Sequence, residues 1–328
     1  MEAYTDFAQV YDELMDETPY EAWCDYLVTL LEKHGFAQSD TNVTYEANVT
    51  NAKCETADES AADSASECTA KNLAQERNTI LDLGCGTGTL TEHFARRGYD
   101  MIGIDNAQEM LQIAIEKRER SGLPILYLLQ DMREFELYGT VGAVISVCDS
   151  LNYLLEEADL IKTFRLVNNY LYPQGLFIFD FNTVYKYAEV IGDATIAENR
   201  EDCSFIWENY YHEEQEINEY DLTVFVAEWR NEPGTGRRAE DALMQEETDN
   251  APVLESMCEE TRFRRFREVH YQRGYRLEQI KAFLQQAGLE FLEAIDADTH
   301  GEVTGESERI YVVARKGAET AANQKVER

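Results

Sequence analysis

The sequence predicts an α/β protein. We expect a doubly wound, Rossmann-like sheet of seven mostly parallel strands with helices on both faces, plus an N-terminal helical cap and an inserted antiparallel β lid. Three observations predict this class. Short, continuous apolar runs alternate with helical stretches between residues 79 and 181, and a glycine-rich turn follows the first run. Segments after residue 182 instead alternate apolar and polar side chains, which is typical of antiparallel strands.

The N-terminal 36 residues predict two helices that form the cap. In the first helix, aromatic and aliphatic residues recur at spacings of three and four from Tyr4 to Met15, which places them on one face. Thr18 and Pro19 then fit the N-cap and first helical position of a second helix, which Gly35 ends.

Seven short runs predict the strands of the main sheet. They are residues 79–83, 100–104, 125–129, 141–147, 176–181, 289–294 and 309–314. The helical stretches lie near 88–97, 107–120, 156–171 and 277–287. Continuous apolar runs of this length are typical of strands buried on both faces, and their alternation with helices predicts right-handed βαβ units.

The remaining segments define the other parts of the chain. Strands at 203–212, 218–230 and 261–273 form the β lid, an insertion over 182–275 that divides the core into 79–181 and 276–316. Three segments lack hydrophobic periodicity: 37–78, 231–260 and 317–328. We expect an acidic, disordered insertion at 37–78, a flexible acidic loop at 231–260 and a disordered tail at 317–328.

The charge balance narrows the possible partners. The chain has 328 residues, with 64 Asp and Glu against 29 Lys and Arg, which gives a formal net charge of −35. Such a protein repels a phosphate backbone and an anionic membrane surface, so we expect neither a nucleic-acid nor a membrane partner. The sequence also lacks an apolar run of 18 residues and a signal peptide, which favours the cytoplasm.

Cysteine and histidine spacing predicts neither a disulfide framework nor a metal site. The seven cysteines include no Cys-x-x-Cys pair, and the five histidines include no pair at metal-ligand spacing. Scattered free thiols fit a reducing compartment. One basic cluster, residues 262–267 (RFRRFR), lies within acidic sequence. We therefore expect it to neutralise nearby carboxylates or to contact an anionic acceptor rather than to bind RNA.

The strongest functional pattern is the glycine-rich turn at residues 80–89 (ILDLGCGTGT). Its glycines allow a tight bend and close approach of a ligand. A dinucleotide fingerprint needs glycine or alanine where Thr89 stands. The carboxylate of Asp82 also suits a cationic amino-acid group better than a pyrophosphate, so an NAD-dependent oxidoreductase is the weaker alternative.

Acidic residues also follow the second and third strands. Asp105 can accept hydrogen bonds from both hydroxyls of a ribose, or can merely cap the next helix. Asp131 can accept a hydrogen bond from an exocyclic amine. Because these strand ends meet at one edge of a parallel sheet, the pattern describes a ligand in which adenosine is joined to an amino acid.

These residues resemble the class I S-adenosylmethionine (SAM)-dependent methyltransferases. The matching segments are 81–88 (LDLGCGTG), 103–111 (GIDNAQEML), 130–132 (QDM), 144–153 (VISVCDSLNY) and 171–179 (LYPQGLFIF). The N-terminal motif 7–12 (FAQVYD) and the inserted sheet are similar to small bacterial methyltransferase-domain proteins of unknown substrate and, distantly, to sugar N,N-dimethyltransferases.

The resemblance implies SAM as cofactor, S-adenosylhomocysteine as product, and methyl transfer by in-line displacement to a nitrogen or oxygen of a small molecule. The implied cofactor-binding residues are Tyr11, Asp82, Gly84, Cys85, Gly86, Gly88, Asp105, Asn106, Met110, Asp131, Met132, Asp149 and Ser150. Lid aromatics favour a small organic acceptor; they are Phe205, Trp207, Tyr210 and Phe225. A fold that binds SAM or a partner without turnover is the other alternative.

Two residues are candidates for a general base, Tyr11 and His270. Tyr11 lies on the apolar face of the first helix, where core packing is an equal possibility. His270 lies in a polar, alternating strand of the lid, where a solvent-facing position is at least as expected as a role as base. Cys85 and Cys148 border the site and fit buried thiols better than nucleophiles.

Overall fold

The computed structural model describes residue 4 and residues 7–36, 76–228 and 262–317. The helices are α1 (Ala8–Leu14), α2 (Tyr20–Lys33), α3 (Thr89–Arg96), α4 (Gln108–Ser121), α5 (Glu157–Tyr170) and α6 (Leu277–Gln286). A 3₁₀ turn spans Ser150–Tyr153, and a π-helical turn spans Lys186–Ile191. Within this part of the chain, no helix is both long and apolar enough to cross a membrane.

The strands form two sheets. Those of the main sheet are β1 (Thr79–Leu83), β2 (Asp100–Asp105), β3 (Leu126–Leu129), β4 (Val141–Ser146), β5 (Leu171–Asn182), β10 (Leu289–Asp296) and β11 (Arg309–Lys316). Those of the second sheet are β6 (Thr195–Asn199), β7 (Cys203–His212), β8 (Ile217–Glu228) and β9 (Arg262–Arg273).

The main sheet has the order β10-β11-β5-β4-β1-β2-β3, and only β11 runs antiparallel to its neighbours. The second sheet is antiparallel throughout, in the order β6-β7-β8-β9. The predicted fold class is therefore confirmed: seven strands, mostly parallel, with a separate antiparallel sheet.

Helices cover both faces of the main sheet. On one face, α5 and α6 bury Leu160, Phe164 and Leu284 against the strands. On the other face, α2, α3 and α4 bury side chains such as Leu27 and Phe94. This two-sided burial explains why the central strands β1 and β4, which are buried throughout, are continuously apolar.

Helix α1 lies between the core and the second sheet. Val10 packs with Leu222 and Val224 of β8, while Ala8 packs with Met110 of α4. The inserted sheet therefore presses the N-terminal helix onto the carboxyl-terminal edge of the main sheet, where β2 ends and α4 begins.

The structure differs from the predicted boundaries in several places. Thr18 is not the N-cap of α2: the Pro19 carbonyl accepts the first helical bond, from the Trp23 N–H at 2.9 Å, and the Thr18 hydroxyl lies 3.8 Å from the Met15 sulfur. Strand β5 begins five residues earlier than predicted, because Leu171 pairs with Val141 ahead of a register shift. Neither β6 nor the π-helical turn was predicted.

Most of the segments predicted to be disordered or flexible lie outside the described residues, namely 37–75, 231–260 and 318–328. Residues 76–78 are described and form a helical turn directly before β1.

Candidate active site

A cavity of about 410 Å³ lies at the carboxyl ends of β1 to β4. In doubly wound sheets, ligands bind at this edge. The loops after these four strands form one side of the cavity, and residues from the N-terminal segment complete it. Of the predicted cofactor-binding residues, these line the cavity: Tyr11, Asp82, Gly84, Cys85, Gly86, Asp105, Asn106, Met110, Asp131, Met132 and Ser150.

The three glycines of the turn have left-handed backbone angles but different surroundings. A Cβ atom at Gly84 would lie 2.7 Å from the Ser150 side chain, and one at Gly88 would collide with the Tyr127 hydroxyl. A Cβ atom at Gly86 would meet no protein atom within 4 Å. Gly86 therefore leaves its face open to a ligand, whereas Gly88 serves packing and does not line the cavity.

Asp82 places an unbalanced carboxylate in the cavity wall. Asp82 is only 3% exposed, and its Oδ2 accepts a hydrogen bond from the Thr91 hydroxyl at 2.6 Å. Burial raises the pKa of Asp82 to about 7, against the opposing effect of the Thr91 bond. Among the described residues, no lysine or arginine forms an ion pair with it, so a bound cation would be stabilised there.

Asp105 is held by two backbone donors at the end of β2. Its Oδ2 accepts from the Gly86 N–H and its Oδ1 from the Ala107 N–H, both at 2.8 Å. Burial raises the pKa of Asp105, and these N–H groups oppose the rise. Each oxygen keeps a lone pair, so the same carboxylate can fix the start of α4 and also accept ligand hydroxyls.

Asp131 is fixed by its neighbour Arg133. The Arg133 Nε lies 2.9 Å from Oδ1, and the Arg133 backbone N–H also donates to Oδ1 at 2.8 Å. The Arg133 side-chain hydrogen bonds are the main reason that the pKa of Asp131 is lowered. The carboxylate at the third strand end is thus ionised and held in a fixed orientation.

The loop after β4 is strained and held from β5. Cys148 and Asp149 have φ angles of 61° and 54°, which are uncommon for residues other than glycine. The buried Asp180 carboxylate of β5 accepts both of their N–H groups, at 3.1 and 2.9 Å. Burial raises the pKa of Asp180, and Arg309 opposes the rise. This arrangement positions Ser150, whose hydroxyl lies 3.2 Å from the Gly84 carbonyl.

Asp149 does not line the cavity. Its carboxylate accepts from the Arg309 guanidinium at 3.2 Å and from the Gln272 amide at 2.7 Å. The Gln272 carbonyl in turn accepts from the Tyr187 and Tyr220 hydroxyls, each at 2.7 Å. Asp149 therefore connects the core to the inserted sheet.

The side of the cavity formed by the N-terminal segment is aromatic. Tyr4, Tyr11 and Tyr20 of this segment line the cavity, and Tyr153 of the 3₁₀ turn lies beside Tyr4. Burial raises the pKa of Tyr11 well above its ordinary value, so its phenol stays protonated. Asp12, the next residue, accepts from the Thr87 hydroxyl at 2.6 Å and pairs with Lys117 at 2.5 Å, which fixes α1 to the glycine turn and α4.

His270 lies behind this wall and does not line the cavity. It is 5% exposed, so the solvent-facing alternative is wrong. Its Nδ1 lies 3.1 Å from the Tyr153 hydroxyl. The four lid aromatics also lie outside the cavity lining: Phe205 and Trp207 pack in the cluster around Val10, and Tyr210 is largely exposed.

Sequence analysis missed several residues of this region: Tyr4, Tyr20, Asp180, Gln272 and Arg309. Asp180 lies near the carboxyl end of β5, which is the same signal that identified Asp105, whereas Arg309 begins the antiparallel strand β11 and carries no such signal. Tyr4 belongs to the apolar face of the first predicted helix, where nothing distinguishes it from a core residue.

Comparisons with known proteins identify the family of this chain. A family model described as a methyltransferase domain matches residues 80–175. "Putative methyltransferase YqeM" of Bacillus subtilis (strain 168) is 31% identical over 315 residues, which cover 95% of this chain and 97% of that protein. "Putative methyltransferase GWCH70_2453" of Geobacillus sp. (strain WCH70) is also 31% identical, over 95% of this chain and 99% of that one.

Two solved structures share the fold. An S-adenosylmethionine-dependent methyltransferase from Clostridium acetobutylicum ATCC 824 gives a TM-score of 0.68 at 24% identity, covering 97% of this chain and all of that one. Streptomyces venezuelae DesVI gives a TM-score of 0.61 at 20% identity, covering 96% of this chain and 99% of that one. The relatives at 31% identity are methyltransferases by name, which favours this activity over the NAD-dependent alternative. Together with relatives aligned over nearly their whole length, the strand-end site shows that the chain belongs to the class I SAM-dependent methyltransferases and uses SAM as its cofactor.

Proposed function

We propose that this enzyme transfers the methyl group of SAM, by in-line displacement, to a nitrogen or oxygen atom of a small molecule. The observation that carries this proposal is the tyrosine-lined side of the cavity. Tyr4 and Tyr11 of the N-terminal segment line the same space as the glycine turn. An acceptor must therefore fit between this segment and the strand ends, which favours a small molecule over a folded macromolecule.

The cavity residues fit the cofactor. We assign the α-amino group of SAM to Asp82, the ribose hydroxyls to Asp105, and the adenine edge to Asp131 and Met132. The open face of Gly86 supports this assignment, because a Cβ atom there would enter ligand space. SAM supplies a methyl group on a sulfonium, which needs no further activation. The protein then has to align the acceptor with that methyl group and exclude water.

The two candidate bases differ in this site. Tyr11 lines the cavity, but burial raises the pKa of its phenol, so it offers no phenolate at neutral pH. We assign it to orientation of the acceptor and exclusion of water. His270 reaches the cavity only through the Tyr153 hydroxyl. A base is needed only where the acceptor atom carries a proton that must leave.

Incubation with tritiated-methyl SAM tests the proposed acceptor class. Cell extract would be separated into a small-molecule filtrate, RNA and protein, and each fraction would be incubated with the enzyme. We expect label in the filtrate, in products that extract as small organic compounds. Label confined to RNA or protein would refute a small-molecule acceptor. Heat-denatured enzyme supplies the background.

We expect SAM affinity to depend on pH through Asp82. A cationic amino group beside this carboxylate lowers its pKa from about 7, so binding below that pH releases a proton. Affinity should therefore rise with pH, by up to about tenfold per unit between about pH 5 and 7. Above about pH 8 it should fall again, as the amino group of SAM loses its own proton.

Isothermal titration in buffers of different ionisation enthalpy measures both the affinity and the proton release. In Asp82→Asn, binding should be weaker and the acid limb should disappear, since the amide does not titrate. If wild-type affinity were constant from about pH 5 to 7, or if the variant kept the acid limb, the assignment of Asp82 to the amino group would be wrong.

A further inference from the structure

We infer that His270 takes up the proton of the methyl acceptor through two tyrosine hydroxyls, Tyr4 and Tyr153. This inference rests on the proposed function and adds the route by which the acceptor is deprotonated. The Tyr4 and Tyr153 hydroxyls lie 2.7 Å apart, and the Tyr153 hydroxyl lies 3.1 Å from the His270 Nδ1. Both tyrosines line the cavity, while the imidazole lies behind them.

The far side of the imidazole faces a buried carboxylate. His270 Nε2 lies 3.3 Å from Glu268 Oε2, and both side chains are almost completely buried. The same carboxylate accepts the N–H groups of Tyr4 and Phe7, each at 2.9 Å. Glu268 therefore holds Tyr4 in place and also lies where it stabilises a positive charge on the imidazole.

The backbone conformation of Tyr4 indicates that its position is enforced by its surroundings. Its φ angle is 61°, a left-handed conformation that is unfavourable for a bulky residue and persists only where the surroundings enforce it. Here the Glu268 contact and the ring packing enforce it: the Tyr4 ring lies edge-on to His270 with centroids 5.0 Å apart, and 5.7 Å from the Tyr153 ring.

The proton balance of the relay is simple. The acceptor N–H or O–H bond breaks, and its electron pair remains on the acceptor atom to attack the methyl group. The methyl–sulfur bond of SAM breaks, and its electron pair stays on the sulfur of S-adenosylhomocysteine. That proton passes to the Tyr4 oxygen, the Tyr4 proton to the Tyr153 oxygen, and the Tyr153 proton to His270 Nδ1. Both tyrosines end neutral, and the positive charge rests on the imidazole beside Glu268.

Other titratable groups around the imidazole fit this scheme. Besides Tyr4, Tyr153 and Glu268, the strand partner Tyr220 on β8 faces His270. Burial raises the pKa of Tyr4 and of Tyr153 well above the ordinary value. These phenols therefore pass a proton on without accumulating as phenolates, which leaves His270 as the group that stores it.

Methyl transfer by full-length His270→Gln, measured against pH with the small-molecule filtrate and tritiated-methyl SAM, tests the relay. We expect a rate about a hundredfold below wild type at neutral pH. The rate should recover as the pH rises and the acceptor loses its proton to solvent, while SAM affinity, measured by titration calorimetry, stays unchanged. Tyr153→Phe should behave alike. His212→Gln removes a histidine that pairs with Glu219 at 2.9 Å on the exposed part of β7, and should match wild type.

An equal loss at every pH, or a wild-type rate in His270→Gln, would overturn the relay. A second measurement does not depend on the acceptor. In the complex with S-adenosylhomocysteine, ¹⁵N chemical shifts should show that Nδ1 of His270 carries no proton and that Nε2 carries one. The His270 signals are identified by their absence from the spectrum of His270→Gln. The opposite tautomer would refute the relay. Failure of wild type to label the filtrate would instead count against the proposed function alone.

Discussion

Replacing Arg309 with methionine should lower the free energy of unfolding by about 3 kcal/mol, the lower end of the range for breaking a buried ion pair. The Arg309 guanidinium lies 3.2 Å from Asp149 and 3.8 Å from Asp180, and Asp180 is 1% exposed. Methionine keeps much of the side-chain volume but leaves two carboxylates close together without their cation. Urea unfolding at pH 7 measures the change as a lower midpoint.

The same variant should recover stability in acid. Without Arg309, the folded-state pKa of Asp180 lies further above its unfolded value, so the added cost is complete only above that raised pKa. This part of the cost declines as pH falls through the folded-state pKa values of Asp180, and it is gone once the carboxyl is protonated in both folded proteins. The difference between wild type and variant should therefore shrink steadily toward about pH 4.

Two further variants show whether the lost ion pair is responsible. Arg309→Met combined with Asp180→Asn should recover part of the loss, because one of the unpaired charges is gone. Arg96→Met removes a largely exposed arginine that pairs with Glu92 at 2.9 Å within α3, and should cost less than about 1 kcal/mol. If Arg309→Met unfolded at the wild-type midpoint, the Asp149 and Asp180 carboxylates would not depend on this arginine.

The core of the fold follows from local patterns in the sequence. Strands such as β1 and β4 are apolar throughout because helices cover both faces of the sheet, and this burial is visible in a single run of residues. Strand β6 was missed because all five of its residues are exposed, so it carries neither a continuous apolar run nor alternation. The π-helical turn likewise has no periodic signature.

The site residues likewise fall into those that local sequence patterns identify and those that they do not. Asp82, Asp105 and Asp131 could be identified because each follows a recognisable strand, and parallel strands bring their carboxyl ends together. Tyr4 and His270, in contrast, are 266 positions apart, and their contact depends on how the inserted sheet packs on α1. A sequence pattern indicates the type of an element and where it ends, whereas packing between the N-terminal segment and the distant inserted sheet leaves no local signal.

Replacing Asp105 with alanine should weaken SAM binding by about a hundredfold. Two hydrogen bonds from ribose hydroxyls to a charged carboxylate contribute about 1.5–3 kcal/mol each, so losing both costs at least about 3 kcal/mol. S-adenosylhomocysteine should lose as much, since it has the same ribose. Titration calorimetry with both compounds measures the two losses.

Adenosine separates a ribose contact from general damage to the loop, because it has the ribose but not the amino-acid portion of SAM. Asp105→Ala should weaken adenosine and SAM by the same factor, whereas Asp82→Asn should weaken SAM and leave adenosine unchanged. Asp100→Ala is the matched control: it removes an aspartate from the opposite end of β2, where Asp100 accepts the Thr79 hydroxyl at 3.0 Å. If Asp105→Ala left the affinity for adenosine unchanged, this carboxylate would serve only to fix the Gly86 and Ala107 N–H groups. The ribose would then lie elsewhere.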